Sequence, residues 1–90
     1  MPAELISHAD PGAESVHGSV VLGVWNALMT RSPTLDGQWK VAIFCDHPPE
    51  LRVVVISPEG LRRHWRFDRA EEATADVIER DLSEWLGATL

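Results

Sequence analysis

The sequence contains a single cysteine, Cys45, which lies inside an apolar run. One cysteine cannot form a disulfide within a monomer, so the chain has to fold without a covalent cross-link, which fits a reducing compartment. A cysteine among apolar residues, with no predicted helix N-terminus or adjacent cation, usually behaves as a small hydrophobe and not as a nucleophile. We therefore expect a structural role for Cys45 and predict that the protein is not an enzyme.

Metal-binding and phosphate-binding motifs are also missing from the sequence. The four histidines are His8, His17, His47 and His64, and none of their spacings is one that metal sites commonly use. Gly18 and Gly23 do not form a phosphate-binding pattern. We predict no metal ion and no other cofactor, and we expect the histidines at the surface or in turns.

Long hydrophobic runs are absent as well. The longest mostly apolar stretch, Val20 to Met29, is about half of the ~20 residues that a membrane-spanning helix needs. The first residues, Met1 to Glu4, lack the basic stretch followed by an apolar run that is typical of a signal peptide. We therefore expect a cytoplasmic protein without a membrane segment.

Basic residues are few compared with acidic ones. Eight lysines and arginines stand against fourteen aspartates and glutamates, which gives a net charge of −6. A surplus of negative charge repels phosphate backbones, so general nucleic-acid binding is disfavoured. The hydrophobic fraction of 44%, with four tryptophans, is sufficient for one globular domain and excludes a disordered acidic chain.

The chain divides into an N-terminal tail or loop over residues 1–13 and a single α+β domain over residues 14–90. The segment Ala9-Asp10-Pro11-Gly12 is typical of a turn. Residues 14–30 are ambiguous, because their valines favour a strand while polar and small residues recur with a helical period at Ser19, Gly23, Asn26 and Thr30. Gly18 and Gly23 each cost a helix about 1 kcal/mol relative to alanine. We favour the helix and keep the strand as the alternative.

Three strands are predicted over residues 38–45, 51–57 and 61–67. Between the last two, Ser57-Pro58-Glu59-Gly60 is typical of a type I turn followed by a glycine with positive φ. This turn sets Val53 opposite Trp65, which gathers apolar side chains on one sheet face. That face collects Leu51, Val53, Val55, Leu61, Trp65 and Phe67, extended by Trp39, Val41, Ile43 and Cys45 from the first strand.

Residues 68–87 are predicted to form an amphipathic helix. Asp68 with Glu71 resembles a capping box, and Gly87 is placed to end the helix. The apolar stripe of this helix should lie on the apolar sheet face, with Asp76 and Glu79 on its outer side. The predicted fold is therefore α+β in the order α-β-β-β-α, a three-stranded antiparallel meander packed on a C-terminal helix, or β-β-β-β-α if residues 14–30 form a strand.

The opposite sheet face combines charge with apolar surface. A basic strip consists of Arg52, Arg62, His64 and Arg66, and an apolar patch consists of Ala42, Phe44, Val54 and Ile56. The basic strip is either a site for phosphate or an acidic partner or a solvated surface matched by the acidic residues of the last helix, and we favour the second. Asp81, close to the apolar stripe of that helix, needs a partner, for which Arg63 is the candidate.

The apolar patch has to be covered. Either the helix of residues 14–30 folds over it or another subunit does. That helix itself adds apolar side chains at Leu22, Trp25 and Met29. More hydrophobic surface is present than one thin sheet can hide, which predicts a protein partner or a homodimer.

These patterns favour a small acidic protein-interaction module, a regulator or inhibitor that binds a protein partner without catalysis. The expected binding residues are Arg52, Arg62, His64, Arg66, Asp76, Glu79, Phe44, Val54, Ile56 and Trp25. A nucleic-acid or phosphate-ligand binder that uses the basic strip is the alternative. An enzyme built around Cys45 or the histidines has the least support.

Overall fold

A computed structural model describes residues 4–31, 37–47 and 49–89. The strands are β1 (Glu4–Ala9), β2 (Gln38–Phe44), β3 (Leu51–Ile56) and β4 (Arg62–Phe67), and the helices are α1 (Glu14–Arg31) and α2 (Ala75–Thr89). The four strands form one sheet in the order β1-β2-β3-β4. β1 runs parallel to β2, and the other two pairs are antiparallel. The predicted α+β class is confirmed, with β1 as an additional strand.

The tail or loop expected over residues 1–13 is wrong for residues 4–9, which form β1; residues 1–3 lie outside the described residues. β1 pairs with β2 from Glu4 opposite Gln38 to Ala9 opposite Ile43. Parallel neighbours need a long crossover, and α1 supplies it. The hydrophobic pattern of β1 in the sequence is weak, because only Leu5 and Ala9 pack against the core. Its pairing with β2 also cannot be recognised locally, because β2 lies far away in the sequence.

The helical interpretation of residues 14–30 is confirmed, and the alternative β-β-β-β-α is wrong. Pro11–Ala13 form a short 3₁₀ turn that leads into α1. Helical spacing places the apolar side chains that face the core on one side of α1: Val16, Val20, Val24, Ala27 and Leu28. Gly23 belongs to the predicted polar stripe, yet it is buried, because α2 crosses α1 at this position.

The predicted hairpin register between β3 and β4 is confirmed. Leu51 lies opposite Phe67 and Val53 opposite Trp65. The backbone N–H of Ser57 donates to the carbonyl of Leu61 over 2.8 Å, and Gly60 has a φ of 92°. Glycine adopts a positive φ without steric strain. The turn therefore determines which side chains of β4 face inward.

The last helix begins later and ends later than predicted. Residues 70–72 form a 3₁₀ turn, and α2 begins only at Ala75. The backbone N–H of Val77 donates to the hydroxyl of Thr74 over 3.3 Å, so Thr74 caps the helix in place of Asp68. The capping box predicted for Asp68 and Glu71 is not formed. One half of such a box occurs one residue later, at the 3₁₀ turn, where the Arg69 backbone N–H donates to the Glu72 carboxylate over 2.9 Å. Gly87 lies inside α2 and does not end it.

Both helices lie on the same face of the sheet. α1 and α2 pack against each other, and the inward side chains of β2, β3 and β4 form one core cluster with them. From α2, the cluster takes Ile78, Leu82 and Leu86, which are fully buried. Two layers result, one of helices and one of strands, and no described residue covers the second sheet face.

Exchange of Gly23 for alanine tests the contact between the helices. A Cβ at this position would lie 2.6 Å from the carbonyl oxygen of Ala75 and 2.9 Å from the Cβ of Ile78. We expect Gly23→Ala to lower the free energy of unfolding by about 1–3 kcal/mol, because the core has to shift. Gly18→Ala is the matched control, since open space surrounds Gly18, and should raise it by up to about 1 kcal/mol. Equal urea midpoints for the two variants would contradict the close approach.

Candidate functional site

The sheet face opposite the helices is the candidate site, and we call it the outer sheet face. Strand alternation brings every second side chain of β2, β3 and β4 to this surface. Its side chains are Lys40, Ala42, Phe44, Arg52, Val54, Ile56, Arg62, His64 and Arg66. The apolar patch and the basic strip therefore form a single continuous surface. Most of these side chains surround a shallow concavity of about 480 Å³.

The strand register determines how charge and apolar surface alternate on the outer sheet face. One row across the strands reads Lys40, Ile56 and Arg62, and the next reads Ala42, Val54 and His64. The third row reads Phe44, Arg52 and Arg66. The apolar side chains thus form a connected centre, with basic side chains at both ends and along β4. Every strand position in these three rows is free of carboxylates.

Two of the arginines on this face already have acidic partners. Arg52 forms an ion pair with Asp46 and lies over the ring of Phe44 at 5.4 Å, while Arg66 donates to the carboxylate of Glu50 over 2.7 Å. Both acids come from the connection between β2 and β3. The hydrogen bond from Arg66 lowers the pKa of Glu50 and, in return, raises the pKa of Arg66.

The other basic side chains of this face have no ion-pair partner among the described residues. Lys40, Arg62 and His64 make no ion pair with any residue of the described ranges. Lys40 and Arg62 flank Ile56 in the same row, and both are exposed. An exposed, unpaired cation next to apolar surface can form a charge-assisted hydrogen bond with a ligand while the apolar part is buried.

The predicted match between the basic strip and the acidic last helix is wrong. α2 packs on the inner face of the sheet, and among the described residues it forms no ion pair with Arg52, Arg62 or Arg66. Asp81 and Glu84 approach the strip only at the edge of β4, where they line a concavity with Arg62 and His64. Charge compensation is instead local, through Asp46 and Glu50. Of the two alternatives for covering the apolar patch, cover by residues 14–30 is wrong, because α1 also lies on the inner side; cover by another subunit stays a prediction.

The predicted binding residues fall on three surfaces. Seven of them share the outer sheet face: Arg52, Arg62, His64, Arg66, Phe44, Val54 and Ile56. Asp76 and Glu79 lie on α2, and Trp25 lies exposed on α1, both in the other layer. Lys40 was missed, although the alternation of the first predicted strand places it on the same side as Ala42 and Phe44.

Cys45, His8 and His17 make contacts within the fold, whereas His64 lies on the outer sheet face. Cys45 packs against the core, and its backbone N–H donates to the carboxylate of Asp10 over 3.1 Å. His8 is exposed on the outer side of β1, while His17 lies 3.0 Å from the hydroxyl of Ser7 on the helical side. Within the residues that the structure describes, no three such side chains are arranged to hold a metal ion.

The predicted pair of Asp81 with Arg63 is wrong. The indole N–H of Trp65 donates to Asp81 over 3.3 Å, and Arg80 lies 3.6 Å from the same carboxylate group. Arg63 instead lies over the ring of Trp65 at 4.9 Å and donates to the carbonyl of His64. A second concavity, of about 660 Å³, lies here between the edge strand β4 and α2. Its charges are mixed, since Asp81 and Glu84 line it together with Arg62 and Arg63.

Comparison with other proteins adds no further identification. Protein-family models, curated proteins and solved structures give no match to this chain. Among the described residues, neither helix is long and apolar enough to cross a membrane. The outer sheet face and the helical surface are therefore the features from which a function can be inferred.

The pair of Arg66 and Glu50 gives a testable pH dependence. We expect the carboxyl of Glu50 to titrate below its usual value of 4.5, because Arg66 donates to the charged form. Since this pKa lies below the unfolded-state value, the stabilisation from the pair is present above the ordinary glutamate pKa. It is lost as the pH falls through the lowered folded-state pKa. Arg66→Gln should move the midpoint of Glu50 upward in a carboxyl-carbon NMR titration, whereas Arg62→Gln should leave it in place. A common midpoint in all three proteins would contradict the pairing.

The hydrogen bond from Trp65 to Asp81 should be visible in stability. Asp81→Ala removes the acceptor of a partly buried indole N–H, so we expect the free energy of unfolding to fall by about 1 kcal/mol. Asp81→Asn keeps an acceptor oxygen and should lose less. Thermal unfolding of the two variants measures the difference, and an Asp81→Ala protein as stable as the parent would show that the indole does not depend on this carboxylate.

Proposed function

We propose that the protein is a small interaction module without catalysis, a regulator or inhibitor that docks on a protein partner through its outer sheet face. One observation supports this most strongly: Lys40 and Arg62, both without an ion-pair partner among the described residues, flank the apolar side chain of Ile56. The partner that fits is a segment in which carboxylates flank an apolar side chain.

The two kinds of surface contribute differently to such a contact. Burial of the apolar centre around Val54 and Ile56 would stabilise the complex by roughly 25 cal/mol for each Å² removed from water. Hydrogen bonds from Arg62 or Lys40 to a carboxylate are charge-assisted, which makes them stronger than neutral ones and gives them direction. Apolar burial would provide affinity, while the cations would select an acidic partner and set its register.

The charge distribution of the whole chain supports the same orientation. Residues 69–87 carry six acidic side chains, Glu71, Glu72, Asp76, Glu79, Asp81 and Glu84, against Arg69 and Arg80. Most of these acids lie on the helical side, and Asp81 and Glu84 lie at the edge of β4, where they share a concavity with Arg62. The other cations of the outer sheet face lie away from them. An acidic partner would be repelled by the helices and attracted to the sheet. The electrostatic field of the protein would therefore orient the partner as it approaches and would also stabilise the complex.

A phosphate ligand or nucleic acid is the second candidate function. The absence of carboxylates from the three rows of the outer sheet face favours it. Two observations favour the protein partner instead. Asp46 and Glu50 neutralise Arg52 and Arg66, which weakens the field that a polyphosphate would bind. In addition, the apolar centre provides no hydrogen-bond donor or positive charge that could bind a phosphate.

A binding assay with three labelled probes distinguishes these functions. The probes are a short synthetic peptide in which glutamates flank leucines, an all-glutamate peptide of equal charge, and a single-stranded oligonucleotide. We expect the mixed peptide to bind best by fluorescence anisotropy. Arg62→Glu should weaken that binding at least tenfold, about 1.4 kcal/mol, because it reverses an unpaired charge on the contact.

Arg80→Glu on α2 is the matched control for this assay. It makes the same change of charge on the helical surface and should leave the affinity for the mixed peptide unchanged. Stronger binding of the oligonucleotide, with a steep loss at higher salt, would favour the phosphate ligand over the protein partner. A protein that binds none of the probes, or that binds them equally in both variants, would contradict a docking role for the outer sheet face.

A further inference from the structure

The outward side of α1 carries an apolar seam that the proposed docking face does not use. Leu22, Trp25 and Met29 are 52%, 37% and 38% exposed on this helix. Among the described residues, these are three of the five large hydrophobic side chains that are exposed, the others being Ile6 and Leu61. Scattered exposed hydrophobic residues are normal, but a concentration on one helix is typical of an interface.

The spacing of this seam is that of a helix that packs against another helix. Ser15, Gly18, Leu22, Trp25 and Met29 follow one another at alternating intervals of three and four residues, and we call these five residues the α1 seam. Such intervals place them along one line on the helix, as in the first and fourth positions of a heptad. The seam lies opposite Val20 and Ala27, which face the core, so it points away from the sheet.

Charge determines which partner suits the α1 seam. Between Glu14 and Arg31, the helix contains no aspartate, glutamate, lysine or arginine. Two copies of a chain with a net charge of −6 repel each other over most of their surface. Along α1, two copies can approach without placing like charges in contact, and each offers the other an uncharged apolar line.

We infer that the α1 seam joins two copies of this chain in a two-fold symmetric, antiparallel helix pair. In this arrangement, Leu22 lies opposite Trp25 of the second copy, and Met29 lies opposite its Gly18. A parallel pair would instead place Trp25 against Trp25 and Gly18 against Gly18, with crowding in one layer and a void in the other. The antiparallel pair sets large side chains against small ones, and open space around Gly18 is available for Met29.

The contact area indicates how strong this dimer is. With side chains of on the order of 200 Å² each, the exposed parts of Leu22, Trp25 and Met29 amount to roughly 250 Å² per copy. Two copies would bury about 500 Å² from these residues, so the interface reaches the small end of specific interfaces, about 1,200 Å², only if flanking residues of α1 contribute more than as much again. We therefore expect a dimer that forms at micromolar concentrations and dissociates on dilution.

Analytical ultracentrifugation over a range of concentrations tests the inference. We expect the wild-type protein to shift from monomer to dimer, and Leu22→Glu or Trp25→Lys to raise the dissociation constant at least tenfold. Leu61→Glu is the matched control, because Leu61 is comparably exposed at 43% but lies in the turn before β4. It adds the same charge, and the variant should dimerise like the wild type. Circular dichroism verifies that each variant is folded.

Mixing the two α1 variants tests the antiparallel register. In a mixed pair, the new carboxylate of Leu22→Glu faces the new ammonium of Trp25→Lys, while the second layer keeps its original leucine and tryptophan. We expect the equimolar mixture to form a dimer that neither variant forms alone. Failure of the mixture to associate would overturn the antiparallel pairing that we infer.

Two further outcomes would overturn the inference. One is a wild-type protein that stays monomeric at high micromolar concentration. The other is a dimer that Leu61→Glu weakens as much as Leu22→Glu does. Salt gives an additional readout, since screening of the net negative charge should tighten this dimer. Binding of an acidic peptide to the outer sheet face should weaken with salt, so failure of one proposal can be distinguished from failure of the other.

Discussion

The contact between α1 and α2 at Gly23 is the constraint on which the arrangement of the molecule depends. A glycine at the crossing lets the Ala75 carbonyl of α2 approach the backbone of α1. With both helices side by side, one layer covers the inner face of the whole sheet, and Val20 and Ile78 share the same core. Neither helix is left to cover the outer sheet face. The exposure of Arg62 and Ile56 on that face is therefore a direct consequence of how the helices pack.

The parts of the fold that could be predicted are those with local signals. The turn at Ser57–Gly60 fixes the register of Val53 and Trp65, because Gly60 adopts a positive φ. A glycine at this position of a turn can be recognised from the sequence alone. β1 could not be predicted in this way, since it pairs with β2, and the whole of α1 separates the two strands in the sequence. The helix start was misplaced because Asp68 and Thr74 are both good capping residues. The choice between them depends on the 3₁₀ turn of residues 70–72, a tertiary effect.

The sequence predicts which side chains share the outer sheet face, but it does not predict their ion-pair partners. Alternation alone places Arg62, His64 and Arg66 on one side of β4, and that needs no tertiary information. The pairing of Arg52 with Asp46 and of Arg66 with Glu50 depends on the conformation of the connection between β2 and β3. The spacing of these residues in the sequence does not predict the pairs. The acidic residues of α2 were matched to the basic strip because both belong to the same chain. Only the layer order shows that α2 lies on the inner side of the sheet and meets the strip only at the edge of β4, where Asp81 and Glu84 lie near Arg62.

The parallel pairing of β1 also affects how the molecule assembles. β2, β3 and β4 are joined by short connections, and their contacts form early at a low entropic cost of loop closure. β1 can align with β2 only after α1 has found its place, so it should be among the last elements to dock. As the edge strand attached through one neighbour, it is also the element that two chains can most easily exchange. We therefore expect β1, the first strand in the sequence, to be the last strand of the sheet to be secured and to open more readily than the strand β2 that holds it.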